Sequence, residues 1–131
     1  MLKTRIAVFV SGGGTNFEAL INAQENGKIP HGEIVLMVSS SKTAYALKRA
    51  ENHGIKSVVC SKKELGSQKR FEEEILKNLE ENNIQLIVLA GFMSILSKEF
   101  TKKYENRIIN IHPSLIPSFC GEGFYGLHVH E

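Results

Sequence analysis

The sequence predicts an α/β fold, with a mainly parallel sheet covered by helices on both faces. Three observations carry that prediction. Apolar stretches of strand length alternate with stretches of helical spacing, the mark of βαβ units with right-handed crossovers. The strand stretches are nearly continuous apolar runs, as in sheets buried on both faces. A glycine-rich turn follows the first of them. The 131 residues suit one domain, 1–131, and no repeat, low-complexity segment or linker divides it.

Residues 5–10, RIAVFV, are β-branched and aromatic and read as the first strand. SGGGTN follows. Phe17, Leu20, Ile21 and Ala23 then fall at helical spacing within 17–28. A second strand is expected at 33–40 and a second helix at 43–54, with Gly54 as its stop. Residues 56–60 form a short third strand. The stretch 68–83 places Phe71, Ile75, Leu76 and Leu79 on one face and glutamates on the other, which reads as a solvated outer face. Residues 84–92, IQLIVLAGF, are the most apolar strand and are expected at the sheet centre. A short helix follows at 97–106, with Ser97 as N-cap and Glu99 in its first turn. A fifth strand, 107–112, ends at Pro113. Beyond it, PSLIPSFCGEGFYGLHVHE reads as a long loop with no closing strand or helix, so the chain looks cut short.

Composition removes several classes of function. A net charge of +2, with dispersed lysines, gives no reason to expect nucleic acid. The apolar stretch 6–10 is too short for a signal-peptide core or a membrane span. Two cysteines, Cys60 and Cys120, make no disulfide framework and suit a reducing cytoplasm. No partner that would activate Cys120 is identifiable, and both cysteines read as structural or incidental. His128, His130 and Glu131 are too weak a pattern to predict a metal site.

Two motifs point to chemistry. SGGGTN sits at the carboxyl end of the first strand, where doubly wound folds bind ligands. Glycines let a backbone approach a ligand, and the following helix offers N–H groups to an anion. The pattern is neither G-x-G-x-x-G nor a P-loop, so a phosphate site and a tight turn capped by Thr15 or Asn16 both stay open. Asn110 and His112 are i and i+2 on a strand, so their side chains leave one face, while Ile109 and Ile111 face the other. They are expected at the same sheet edge as SGGGTN. The apolar stretch AGFMSIL, 90–96, is either core or the lining of an apolar pocket.

Taken together, VFVSGGGTNFEALI, IVLAGFMSILS and IINIHPSLIP resemble the signatures of the phosphoribosylglycinamide formyltransferases, from about residue 5 to the end. NIHPSLIP alone is shared with other enzymes that use 10-formyltetrahydrofolate; the glycine loop and AGFM narrow the likeness. The resemblance implies a Rossmann-like three-layer formyltransferase fold. It implies transfer of a formyl group from the co-substrate 10-formyltetrahydrofolate to the amine of 5′-phosphoribosylglycinamide in purine biosynthesis, without a metal. It places the substrate phosphate on Gly14, Thr15 and Asn16. It places the folate on Lys69, Met93, Ser94, Ile95, Leu96 and Asn110, with Gln68 as the alternative to Lys69. It makes Asn110 and His112 catalytic. Many members have Arg where this chain has Ser94, and backbone contacts would survive that change.

One departure bears on activity. The resemblance implies a later carboxylate, normally Asp, that orients the histidine, and all 14 acidic residues here are Glu. Glu122 has nothing in its position to make it a substitute. The 131 residues alone are therefore expected to be inactive or nearly so, and uncovered apolar surface is expected to promote self-association. Formyltetrahydrofolate hydrolysis and non-catalytic nucleotide binding are the competing readings. A methionyl-tRNA formyltransferase would need a further domain to hold tRNA.

Overall fold

The computed structural model describes the chain over residues 3–111, together with the strand at 127–129. Its elements run β1 (Thr4–Val10), α1 (Thr15–Glu25), β2 (Gly32–Ser39), α2 (Ala46–Asn52), β3 (Lys56–Val59), α3 (Lys62–Leu65), α4 (Gln68–Glu81), β4 (Leu86–Leu89), α5 (Lys98–Lys103), β5 (Ile108–Ile111) and β6 (Leu127–Val129). One sheet orders them β3-β2-β1-β4-β5-β6. The first five strands are mutually parallel, and β6 runs antiparallel to β5. The mainly parallel sheet is thus observed, with β1 and β4 at its centre.

Alternation along β1 builds the two layers of core. Ile6, Val8 and Val10 face α1 and α2, packing with Phe17, Leu20, Ile21, Ala46 and Ala50. Ala7 and Phe9 face the opposite layer, packing with Phe71, Ile75 and Leu79 of α4 and Phe100 of α5. Phe9 is enclosed by Phe92 and Phe100, with ring centroids 5.3 and 6.4 Å away in edge-on geometry. Helix α4 is otherwise heavily charged. Each of its fully buried apolar side chains contributes about 1.5–3 kcal/mol on leaving water, so that stripe fixes how the helix docks.

Caps and turns explain most boundaries. Ser67 and Ser97 cap α4 and α5, their hydroxyls accepting from the N–H of Arg70 and Phe100. Helix α2 stops at Asn52, and Gly54 takes a left-handed φ of 69° two residues on.

Four expectations are corrected. Helix α3 was not foreseen, because four residues cannot display a period; only the Ser61 cap and left-handed Gly66 mark it. Helix α2 begins at Ala46 rather than 43, the serine-rich residues before it bonding to one another instead. A closing strand does exist, since Leu127–Val129 pairs with β5, with His128 opposite Asn110. Three residues show no readable alternation, and it is the edge of β5 that supplies the register. The outer face of α4 is not wholly solvated, since Glu72 is turned inward and buried. No helix among the described residues is long and apolar enough to cross a membrane.

Candidate functional site

Parallel strands deliver their carboxyl ends to one edge, and the candidate residues follow from that. Strand β1 ends at Val10 and leads into Ser11–Gly14; β4 ends at Leu89 and leads into 90–97; β5 carries Asn110 near its end. The glycine loop, the 93–96 segment and Asn110 therefore occupy one edge, across three adjacent strands. His112 lies outside the described residues, as do Cys120, Glu122, His130 and Glu131.

The glycine loop is shaped for close approach. Gly14 is the N-cap of α1, at φ 80°, and gives no side-chain cap. Thr15 and Asn16 are thus the first two helical residues rather than caps. The opening N–H groups of α1 keep no side-chain partner among the described residues, which together with the helix dipole suits an anion. A Cβ on Gly14 would stand 2.6 Å from the Ala46 Cβ, whereas one on Gly12 or Gly13 would meet nothing within 4 Å. Gly14 is needed for packing against α2; Gly12 and Gly13 leave open space in front of the loop.

A cation sits behind this loop. Arg49 Nε donates to the Gly13 carbonyl at 2.7 Å, its Nη1 lies 3.4 Å from Glu18, and its guanidinium lies over the Tyr45 ring at 5.0 Å. His53 joins α2 to α1, with Nε2 2.8 Å from Glu18 and Nδ1 3.2 Å from Glu25. The hydrogen bond to Glu18 is the main cause that lifts the His53 pKa above its ordinary value; burial opposes it, and the charges of both glutamates add to it. Glu18 stands in the first turn of α1, where it would repel a bound anion; Arg49 and His53 offset that charge.

The 93–96 segment divides in two. Phe92 and Leu96 pack on the core below, while Met93 and Ile95 are 82% and 81% exposed. Ser94 is half-buried. The apolar stretch therefore serves both as core and as an outward apolar surface, where sequence had left these as alternatives. Its backbone is held by polar anchors. The Met93 N–H donates to Ser11 Oγ at 2.8 Å, and Gln68 Nε2 donates to the Ile95 carbonyl at 2.8 Å. Lys69 is exposed on the first turn of α4; Gln68 is the residue that touches the segment.

Asn110 is half-buried on β5, next to Leu89 of β4 in register. Ile111, on the opposite face, is buried against the α1 layer, and Ile109 packs there partly buried. Cys60 is buried, and burial pushes its thiol up to about 12, which suits a structural role. Ser11, Ser40 and Arg49 were not foreseen as site residues, whereas Gln68 was expected as the alternative to Lys69 and is the one of the two that touches the segment. Of the three not foreseen, only Ser11 carried a signal, as the first residue of SGGGTN.

Comparison with known proteins fits this arrangement. A family model described as formyl transferase matches residues 4–131. The trifunctional purine biosynthetic protein adenosine-3 of Gallus gallus is 46% identical over 125 residues, covering 95% of this chain and 12% of that protein. The phosphoribosylglycinamide formyltransferase of Haemophilus influenzae is 38% identical over 121 residues, covering 92% of this chain and 57% of the relative. A crystal structure of phosphoribosylglycinamide formyltransferase from Brucella melitensis superposes with a TM-score of 0.79 at 42% identity, over 91% of this chain and 62% of that one. The chain thus spans little more than half the length of these single-function relatives and about an eighth of the avian protein. With matched residues running from β1 through β6, and the fold of the Brucella melitensis enzyme, this chain belongs to the formyl transferase family.

Proposed function

We propose that this chain provides the substrate-binding edge of a phosphoribosylglycinamide formyltransferase, acting in the cytoplasm in purine biosynthesis. The observation that carries the reading is the convergence of the α1 N-terminus, the 93–96 segment and Asn110 on one sheet edge. The N-terminus of α1, with Gly14, Thr15 and Asn16, holds the phosphate of 5′-phosphoribosylglycinamide. Met93, Ser94, Ile95 and Leu96 hold 10-formyltetrahydrofolate, the exposed Met93 and Ile95 giving apolar contact and the backbone giving hydrogen bonds. Lys69 or Gln68 reaches the folate from α4.

The chemistry needs few protein groups. The neutral amine of the substrate attacks the formyl carbon, and negative charge develops on the formyl oxygen. The Asn110 amide N–H and a protonated His112 stabilise that oxygen. The C–N bond to the folate then breaks; its nitrogen takes a proton from His112, and the attacking nitrogen gives its proton back to His112, directly or through water. Atoms and charge balance without a covalent enzyme intermediate or a metal.

The test is to follow 10-formyltetrahydrofolate consumption with and without 5′-phosphoribosylglycinamide. Consumption that requires the amine, and falls in both Asn110→Ala and His112→Ala, supports transfer. Equal consumption without the amine would replace this reading with hydrolysis.

A further inference from the structure

We infer that Ser11 is a positioning residue, which fixes the 93–96 segment to the glycine loop so that the two ligand-facing stretches move as one unit. This rests on the proposed assignment of 93–96 to the folate. Ser11 Oγ accepts the Met93 N–H at 2.8 Å and the Ser40 hydroxyl at 2.7 Å. One hydroxyl on the β1 turn therefore ties down the turns that follow β2 and β4. The backbone of β1 reinforces the same edge, since the Val10 carbonyl accepts from Ser40 N and the Phe9 carbonyl from Ala90 N.

Other contacts do not make this anchor redundant. Met93 and Ile95 point outward, so their side chains cannot hold the segment against the protein. Its far end is held by Gln68 and by Ser97, which is fixed on Glu72. At its near end Phe92 packs on Phe9, and the Ser11 hydroxyl supplies the side-chain hydrogen bond to the segment's backbone among the described residues. The Met93–Ser11 bond is solvent-exposed, so water can replace it when the hydroxyl is removed. Removal should therefore loosen the geometry of the segment more than it destabilises the fold.

The experiment compares the parent chain with Ser11→Ala and Ser11→Thr. Calorimetry measures binding of 5-formyltetrahydrofolate, a stable folate probe, and of ribose 5-phosphate. Amide exchange at Met93 is read in parallel by NMR. Ser11→Ala is expected to weaken the folate probe about five- to tenfold, to leave ribose 5-phosphate within about twofold, and to speed Met93 exchange. Ser11→Thr, which keeps the hydroxyl, should restore the folate affinity. Equal weakening of both probes, or unchanged folate affinity and Met93 exchange in Ser11→Ala, would overturn the inference. If the parent binds neither probe, the proposed function fails; Met93 exchange then decides alone, faster exchange upholding the anchor and unchanged exchange overturning it.

Discussion

Glu72 holds Ser97 by two hydrogen bonds, its Oε2 accepting the backbone N–H and its Oε1 the hydroxyl, both at 2.6 Å. Gln68 Nε2 donates to Oε2 as well, also at 2.6 Å. Burial is the largest influence on this carboxyl and would raise its pKa. The hydrogen bonds from Ser97 and Gln68, helped by Lys62, outweigh it, so the pKa lies below the ordinary 4.5. A depressed carboxylate contributes stability that is present above the unfolded value and is lost as pH falls through the folded one. Denaturant midpoints should therefore fall as pH drops below 4.5, and Glu72→Gln should flatten that fall. At neutral pH the same substitution should destabilise by about 1–3 kcal/mol, because its NH₂ cannot accept the bond Ser97 offers. Parallel pH curves for parent and variant would count against this role.

Gly14→Ala brings two separable penalties: φ is 80°, and the new Cβ would lie 2.6 Å from the Ala46 Cβ. Together they should remove about 2–4 kcal/mol of stability in urea denaturation. Adding Ala46→Gly removes the Cβ contact but neither the 3.1 Å approach to the residue 46 Cα nor the backbone strain, so the double variant should recover part of the loss. Additive losses in the double-mutant cycle would mean that the contact plays no part.

An apolar cleft of about 280 Å³ opens on the α1 side of the sheet, lined by residues that include Ile6, Leu20, Ile29, Ile34, Leu86 and Ile109. Of these, Ile6, Leu20 and Ile34 are buried, and the partly buried Ile29, Leu86 and Ile109 are the residues that should drive concentration-dependent self-association of the 131-residue chain. Analytical ultracentrifugation should show a weight-average mass that rises with concentration. A single monomeric species across that range would remove the expectation.

Turnover should be low in the chain by itself. The resemblance implies an aspartate that orients His112, and these 131 residues contain none. Loss of an orienting carboxylate lowers rates by about 10⁴-fold in comparable networks. Assayed beside the Haemophilus influenzae relative, the chain should be slower by orders of magnitude; comparable rates would show that no such partner is required.

Much of the fold was legible because its central strands lie within apolar runs and its longer helices have clear stripes. Phe71, Ile75 and Leu79 announced both the helix and its buried face, and all three are buried. What escaped notice was short or relational. Leu127–Val129 is a strand only because β5 offers an edge. Glu72 looked like one more solvated glutamate, and nothing local reveals that Ser97, 25 residues away, comes to meet it. The meeting of the SGGGTN loop and Asn110 at one sheet edge was legible, because parallel strands deliver their carboxyl ends together. The contacts of Arg49 and Gln68 were not, because they depend on which helix packs beside which loop.

The most direct measurement is an NMR titration of the chain with 5′-phosphoribosylglycinamide, followed by 5-formyltetrahydrofolate, reading backbone amides. The expected result is saturable shifts at Gly14, Thr15 and Asn16 with the first ligand, and at 93–96 and Asn110 with the second. Shifts confined to other faces of the sheet, or none at millimolar ligand, would contradict the assignment of this edge to formyl transfer.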